Sequence, residues 1–428
     1  MSTVAADPVL VPLSIDLPPV ERRAALPAGF VAGATTCAIK ASGRPDLAVI
    51  AATGGLSTVA GAFTQNLFAA APVSLSRRHL AASGGFARAV ISTSGSANAA
   101  TGPAGDADQL SIAQHVASVL GSPVEQVLCM STGVIGTRLP VELVEAGVDR
   151  LAASGLSGDS AGLEAAAQAL MTTDSRMKVS TTTVAVTNGR PAREVRVSGI
   201  AKGVGMIHPG MATMLSVLLT DATVDPTVLD GLLKDATART WNQLSVDGDT
   251  STNDTVFVLA SGAAGGPSVE AGTEAAAALG SAIEAVARDL ARQQAADGEG
   301  ASTLITCQVS GATNDAEARA VARSVVSSSL VKAAVHGRDP NWGRLAGAAG
   351  NAAARVDPAL VRIGIAGHLV YDGPDGGPVE FDRAAARTAM DAPEVLFRLD
   401  LGLGDGTGEA FGCDLTEEYV RENSEYTT

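Results

Sequence analysis

Residues 203–215 read Gly-Val-Gly-Met-Ile-His-Pro-Gly-Met-Ala-Thr-Met-Leu, close to the middle of a 428-residue chain. The turn His208-Pro209-Gly210 leads to a small residue, Ala212, then to Thr213, then to an apolar run ending at Leu219. A threonine hydroxyl is a weak nucleophile until a base takes its proton. If the bond between Ala212 and Thr213 were cut, the freed α-amine of Thr213 would be that base. Its ordinary pKa of about 7.7–8.0 lies near neutrality. The cut would use the same hydroxyl. Oγ attacks the Ala212 carbonyl, and water opens the ester that forms. Ala212 leaves that carbonyl unshielded, and a strained turn would favour the attack. The plain alternative is a β-branched residue opening an apolar strand, which is ordinary.

Ser131-Thr132-Gly133 is the second candidate. Acyl transfer creates an oxyanion, and donors must already point at it. A hydroxyl and the N–H of a glycine, where backbone can approach closely, make a suitable pair. A simple Ser/Thr-Gly turn after a strand reads the same way. Other motifs fail. Asp247–Asp254 starts like a calcium loop, but Thr252 and Val258 stand where Gly and Glu are needed. His79, His115, His208, His336 and His368 lack metal-ligand spacing. Gly203-x-Gly205 lacks the third glycine of a dinucleotide loop, and no phosphate-binding G-x-x-x-x-G-K-[ST] occurs. We expect no cofactor and no metal.

The elements that must hold these groups alternate between strand and helix. Leu47–Ala52 and Ala87–Ser92 read as buried strands. Asp106–Leu120 has helical spacing and stops at Gly121, and Val127–Met130 is a strand running into Ser131. Val141–Leu151 and Gly162–Met171 read as helices. Thr181–Val186 and Glu194–Val197 read as a hairpin around Asn188-Gly189. After the strand that follows Thr213, helices are expected at Val228–Trp241, Thr273–Gln294 and Asp315–Ser328, with a strand at Leu304–Val309. The result is layered α/β architecture. Residues 1–26, rich in proline, read as a weakly anchored extension. Residues 27–212 and 213–428 are the halves on either side of the cut.

A hydrophobic content of 46% with 18% charged residues suits a protein with a large core. The net charge of −15 is uneven: residues 1–212 carry 15 Lys+Arg against 14 Asp+Glu, and residues 213–428 carry 15 against 31. This balance argues against nucleic-acid and anionic-membrane partners. It is compatible with an amine-bearing substrate, although solubility alone explains it. Four scattered cysteines form neither a disulfide framework nor a C-x-x-C pair. Without a basic n-region or a long apolar span, a cytoplasmic location is expected.

In combination, the motifs resemble the ornithine acetyltransferases, glutamate N-acetyltransferases of the cyclic arginine pathway. The resemblance runs from about Gly29 to the C-terminus. It rests on Lys40-Ala41-Ser42-Gly43 with Asp46-Leu47-Ala48, Ala70-Ala71-Pro72-Val73, Ser131–Gly136, Met171-Thr172-Thr173-Asp174 and Ala201-Lys202-Gly203. It continues with Met211–Leu215, Ser251–Thr255, Asp339–Arg344 and the terminal Tyr419-Val420, Asn423-Ser424, Tyr426 and Thr428. It implies an N-terminal-nucleophile-like fold, αββα, with a smaller C-terminal α/β region. It also implies autocleavage at Ala212–Thr213 and two chains that stay associated, as pairs of processed heterodimers.

Thr213 would take acetyl from N-acetylornithine and pass it to glutamate by double displacement. Thr132 and Gly133 match the oxyanion hole. Thr172, Thr173, Lys202, Thr213, Glu299, Asn423 and Thr428 match substrate-contacting positions. Lys202 would meet a substrate carboxylate or tune the Thr213 amine. Acetyl-CoA is a second donor for some members of the family. Two departures stand out: Gly210 in the cutting turn, where relatives often carry Asn, Asp or Ser, and Thr93-Ser94-Gly95-Ser96-Ala97-Asn98 in place of Asn-Ser-Gly-Gly-x-Asn. Three alternatives stay open: a paralogue in specialised metabolism, an N-terminal-nucleophile amidase or aminopeptidase, and an uncut binding subunit.

Overall fold

The computed structural model of the chain describes residues 10–187, 192–208 and 214–425. The described residues fall into two units. One is drawn from 17–238 and 249–290, the other from 10–16, 239–248 and 291–425.

The first unit starts with β1 (Phe30–Thr35), β2 (Leu47–Ala52), β3 (Ser57–Phe63), α1 (Ala71–Ala82), β4 (Phe86–Ala87), β5 (Ala89–Ser96), α2 (Gly102–Leu120) and β6 (Val127–Val134). It continues through α3 (Val141–Ser154), α4 (Ser160–Leu170), β7 (Lys178–Val186), β8 (Arg193–Lys202), β9 (Leu215–Thr220) and α5 (Pro226–Arg239). The short β10 (Leu244–Ser245) lies in the second unit, while β11 (Thr255–Ala260) and most of α6 (Glu274–Ala295) lie in the first. The second unit then holds β12 (Leu304–Ala312), α7 (Asp315–Ser327), α8 (Ser329–His336), α9 (Trp342–Gly350), β13 (Arg362–Ile365) and β14 (His368–Asp372). It closes with β15 (Gly377–Pro378), α10 (Arg383–Ala389), β16 (Glu394–Asp400), β17 (Gly406–Cys413) and α11 (Glu417–Glu425).

In the first unit, a four-stranded sheet (β1-β2-β5-β6) and a six-stranded sheet (β4-β3-β11-β9-β8-β7) share one core. Side chains alternate along a strand. Ile50, Val90, Leu128 and Met130 of the smaller sheet therefore meet Ile200, Leu215, Val217 and Leu219 of the larger in a single buried cluster. The opposite parity of the smaller sheet (Leu47, Val49, Ile91, Cys129) packs on α1, α2 and α3. On the outer face of the larger sheet, Gly199 of β8 lets Val286 and Leu290 of α6 approach so closely that a Cβ would lie 2.7–2.8 Å from them. The layers are helix, sheet, sheet, helix, as expected.

The second unit is built on a mixed seven-stranded sheet, β10-β17-β12-β16-β13-β14-β15. Ile305, Cys307 and Val309 of β12 pack with Val321, Val325 and Val326 of α7 in its core.

Most element readings hold, with shifted ends. β2 matches its expected bounds. α2 begins four residues early, at Gly102, because Pro103 in the first turn costs no needed N–H. It ends as expected at Gly121, which adopts φ +62. β5 runs on to Ser96 because its polar residues Thr93 and Ser94 are buried like apolar ones. The hairpin pairs Val186 with Arg193, and its Asn188-Gly189 turn lies outside the described residues. The extension is firmly tied at its end. Glu21 and Thr181 exchange backbone hydrogen bonds of 2.8 and 2.9 Å, and Ala24, Ala25 and Leu26 are buried. The reason is that β7 is an edge strand whose backbone groups need partners. Among the described residues, no helix is long and apolar enough to cross a membrane.

Candidate active site

Strand parity places the first contact. On β8, Lys202 has the parity of Ile200, and on β6, Thr132 has that of Met130, so both face the layer between the two sheets. They meet there: Lys202 Nζ donates to Thr132 Oγ at 3.3 Å, and both residues are only 3% exposed. A β-strand that buries a lysine at its end needs counter-charge. Asp174 supplies it at 4.0 Å from Lys202.

Asp174 is the hub of the site. Its carboxylate accepts from Lys178 Nζ at 2.6 Å, the Gly203 N–H at 2.8 Å and the Thr172 N–H at 3.1 Å. Burial pushes its pKa up. Lys202, Lys178 and the hydrogen bonds from Lys178 and Gly203 outweigh burial and hold it down at about 2. Asp174 is therefore an anion inside the protein, and it gathers Thr172, Gly203 and two ammonium groups. Close by, Lys40 Nζ donates to the carbonyls of Pro45 and Ala169. Burial, then Arg44, lower its pKa to about 8.

Gly133 adopts φ +131, and a Cβ there would run into the backbone of Gly95 and Ser96. The parallel pairing of β5 and β6 sets Gly95 opposite Gly133, so two glycines let the strands cross closely next to Thr132. Asn253, two residues before β11, fixes the same region. Its buried amide donates to the Ala97 carbonyl at 2.7 Å and the Ser131 carbonyl at 2.8 Å. Thr252 Oγ donates in turn to Asn253 Oδ1 at 2.6 Å.

β9 starts in the middle of the larger sheet, with Leu215 in register with Lys202 on one side and Thr255 on the other. Just before it, the Met214 N–H donates to Asp254 Oδ1 at 2.9 Å. Asp254 is completely buried. Burial raises its pKa well above the usual carboxylate range, with the Met214 N–H and Lys202 opposing.

Of the residues expected at the site, Thr132, Gly133, Lys202 and Thr172 are brought together through Asp174. Thr173 is exposed beside them in the chain. Glu299 and Asn423 pair in the second unit, where Asn423 Nδ2 donates to Glu299 Oε2 at 3.0 Å. Ala212, Thr213, Gly210 and Thr428 lie outside the described residues. The reading of single residues missed Asp174, Lys178, Asn253 and Asp254. Three of these stand inside quoted motifs, and the signal was their polar type beside buried strand positions.

The ArgJ family profile matches residues 31–428. The chain belongs to the ArgJ family. It is 47% identical over 403 residues to the arginine biosynthesis bifunctional protein ArgJ of Thermus thermophilus, covering 94% of this chain and 99% of that one. The ArgJ of Deinococcus radiodurans is 46% identical over 402 residues, covering 94% and 97%. Among solved structures, the Bacillus halodurans ArgJ is 41% identical with a TM-score of 0.47, over 48% of this chain and 96% of that one. The Mycobacterium tuberculosis ornithine acetyltransferase, solved with ornithine, is 38% identical with a TM-score of 0.40, over 45% and 97%. The family read from the motifs is the family found, and the chain is an enzyme of arginine biosynthesis.

Proposed function

We propose that this ArgJ-family enzyme moves an acetyl group from N-acetylornithine to glutamate through Thr213, freed by cleavage of the Ala212–Thr213 bond. The observation that carries the reading is the setting of Met214. It stands just before β9, whose first residue Leu215 is flanked by Lys202 and Thr255, and Asp254 holds its N–H at 2.9 Å. Thr213 precedes it by one residue in the sequence, and Leu215, which follows it, faces the layer that contains Thr132 and Lys202. Thr213 Oγ attacks the acetyl carbonyl while its α-amine takes the proton. The Thr132 hydroxyl and Gly133 N–H receive the oxyanion. Ornithine leaves, and glutamate accepts the acetyl group in the second half-reaction. Thr172, Thr173, Glu299, Asn423 and Thr428 make up the substrate contacts, while Lys202, which the resemblance puts among them, is engaged with the Thr132 hydroxyl.

The sheet pairings support halves that stay together. β9 and β11 come from residues after the cut, yet they pair with β8 and β3 from before it. Separating the halves would break a continuous buried sheet. Two such heterodimers, in the cytoplasm, complete the reading. Denaturing mass analysis tests it: two fragments are expected, the second starting at Thr213, and Thr213→Ala should remain whole and inactive. An intact chain with full transfer activity would overturn the mechanism. Free acetate as the main product would favour an amidase instead.

A further inference from the structure

We propose that Lys202 and Asp174 are positioning residues that aim the Thr132 hydroxyl. This rests on the reading of Thr132 as an oxyanion donor, and it assigns Lys202 a role other than holding a substrate carboxylate.

The argument starts from donor chemistry. An ammonium has hydrogens to give and no lone pair to accept with. At the 3.3 Å contact, Thr132 Oγ must therefore be the acceptor. A hydroxyl has one hydrogen, and with a lone pair committed to Lys202 that hydrogen turns away from the lysine. In water the rotor would be free. Here Thr132 is buried, and the Lys202 side chain is 4% exposed. The preference therefore holds without solvent competition. A hydroxyl already turned is what a developing oxyanion needs, because preorganised donors cost no reorientation during the reaction. The ammonium adds positive charge on the donor's own oxygen, which polarises the O–H bond further.

Asp174 makes the arrangement stiff. It lies 4.0 Å from Lys202 and is itself fixed by Lys178 and by the N–H groups of Gly203 and Thr172. Gly203 directly follows Lys202, so the carboxylate grips both the lysine's charge and the backbone next to it. The chain of contacts runs from an invisible interior anion to the hydroxyl at the site, through residues of both sheets.

The test is a double-mutant cycle on cleaved enzyme, with rates expressed per chain bearing a free Thr213 N-terminus. N-acetylornithine and p-nitrophenyl acetate serve as acyl donors. Thr132→Val should lower kcat by about 10²–10³ with KM nearly unchanged, the usual effect of losing one oxyanion donor. Lys202→Met should lower kcat by about tenfold or more in the wild type and in Thr132→Ser, which keeps a hydroxyl, and by less than about twofold in Thr132→Val. Asp174→Asn should follow the same pattern.

Equal losses from Lys202→Met in all three backgrounds would overturn the proposal. So would a loss carried by KM, which is the mark of a substrate-carboxylate contact. Turnover of the ester but not of N-acetylornithine would overturn the substrate assignment, and the cycle would still decide the positioning role. A wild type inert to both donors would overturn both.

Discussion

Asp254 Oδ1 accepts the Met214 N–H at 2.9 Å, and the next residue, Thr255, donates its own N–H to the Met214 carbonyl at 3.1 Å. Asp254, just before β11, and Thr255, its first residue, thus hold both ends of the residue that follows Thr213 in the sequence. Asp254 Oδ2 is buried and has no hydrogen-bond partner among the described residues.

A raised carboxyl pKa has a defined sign. The folded state keeps a proton that the unfolded chain loses above about pH 3.9, so Asp254 costs stability increasingly as pH rises from there toward its folded pKa. Asp254→Asn keeps an acceptor for Met214 and cannot ionise. It should match or exceed the wild-type melting temperature at pH 8, and the difference should vanish near pH 4. Asp254→Leu strands the Met214 N–H and should lose about 1–3 kcal/mol in urea melts at any pH.

The strand layers around this contact were legible in the sequence, and the charge network was not. The apolar run ending at Leu219 marks β9, and once the strands are placed their period sends Thr132 and Lys202 inward. Those features need only a period of two. Asp174 is different. Its meaning depends on the β7–β8 hairpin returning Gly203 to a residue 29 positions earlier, which no local spacing encodes. Asn253 likewise acts on Ser131, 122 residues away. The seven-stranded sheet was opaque for a similar reason. β12 pairs in parallel with β16 and antiparallel with β17, and β10 joins from an earlier part of the chain.

Asn253 should tolerate no acidic replacement. Its NH2 group faces two carbonyls, those of Ala97 and Ser131. Asn253→Ala removes the donor these two carbonyls share, leaving Ala97 its bond from Ser131 Oγ at 2.6 Å, and should cost about 1–3 kcal/mol. Asn253→Asp sets a third oxygen against them and should cost more, despite its closer shape. Urea denaturation of the two variants decides the order, and an equal or smaller loss in the acidic variant would refute the account.

Gly133→Ala should impair the site locally. Positive φ disfavours a side chain, and the added methyl meets the Gly95 and Ser96 backbone, which has no flexible end to swing aside. The strands must part, moving Thr132 with them. We expect a loss of about 1–3 kcal/mol in stability, together with a fall in kcat at least as large as that from Thr132→Val. Unchanged kcat would show that the close approach is not needed for donor geometry.

The thiols should be inert in the native protein. Cys37, Cys129, Cys307 and Cys413 are all buried. Burial raises the pKa of each, with Cys37 and Cys129 reaching about 12. Thiolate is the reactive form. Iodoacetamide at pH 8 should label none of the four in the native state and all four after denaturation, read by intact mass. Labelling of any one under native conditions would indicate local opening at that strand or loop.

Asp174 carries the clearest pH signature. Its pKa of about 2 lies below the unfolded value of about 3.9, so the folded state favours the anion. That stability is fully present above about pH 4 and is lost as pH falls through about 2, amounting to roughly 2–3 kcal/mol. Asp174→Asn has nearly the same shape but leaves Lys178 and Lys202 buried without their shared anion. Breaking such a pair costs about 3–5 kcal/mol. Urea melts at pH 7 should show that deficit in full. Melts toward pH 3 should show it narrowing, because the unfolded wild-type chain takes up a proton at Asp174 below about pH 3.9 while the variant has nothing to titrate. A deficit that stays constant from pH 7 to pH 3 would mean that Asp174 contributes through shape and neutral hydrogen bonds, and that the two lysines find their counter-charge elsewhere.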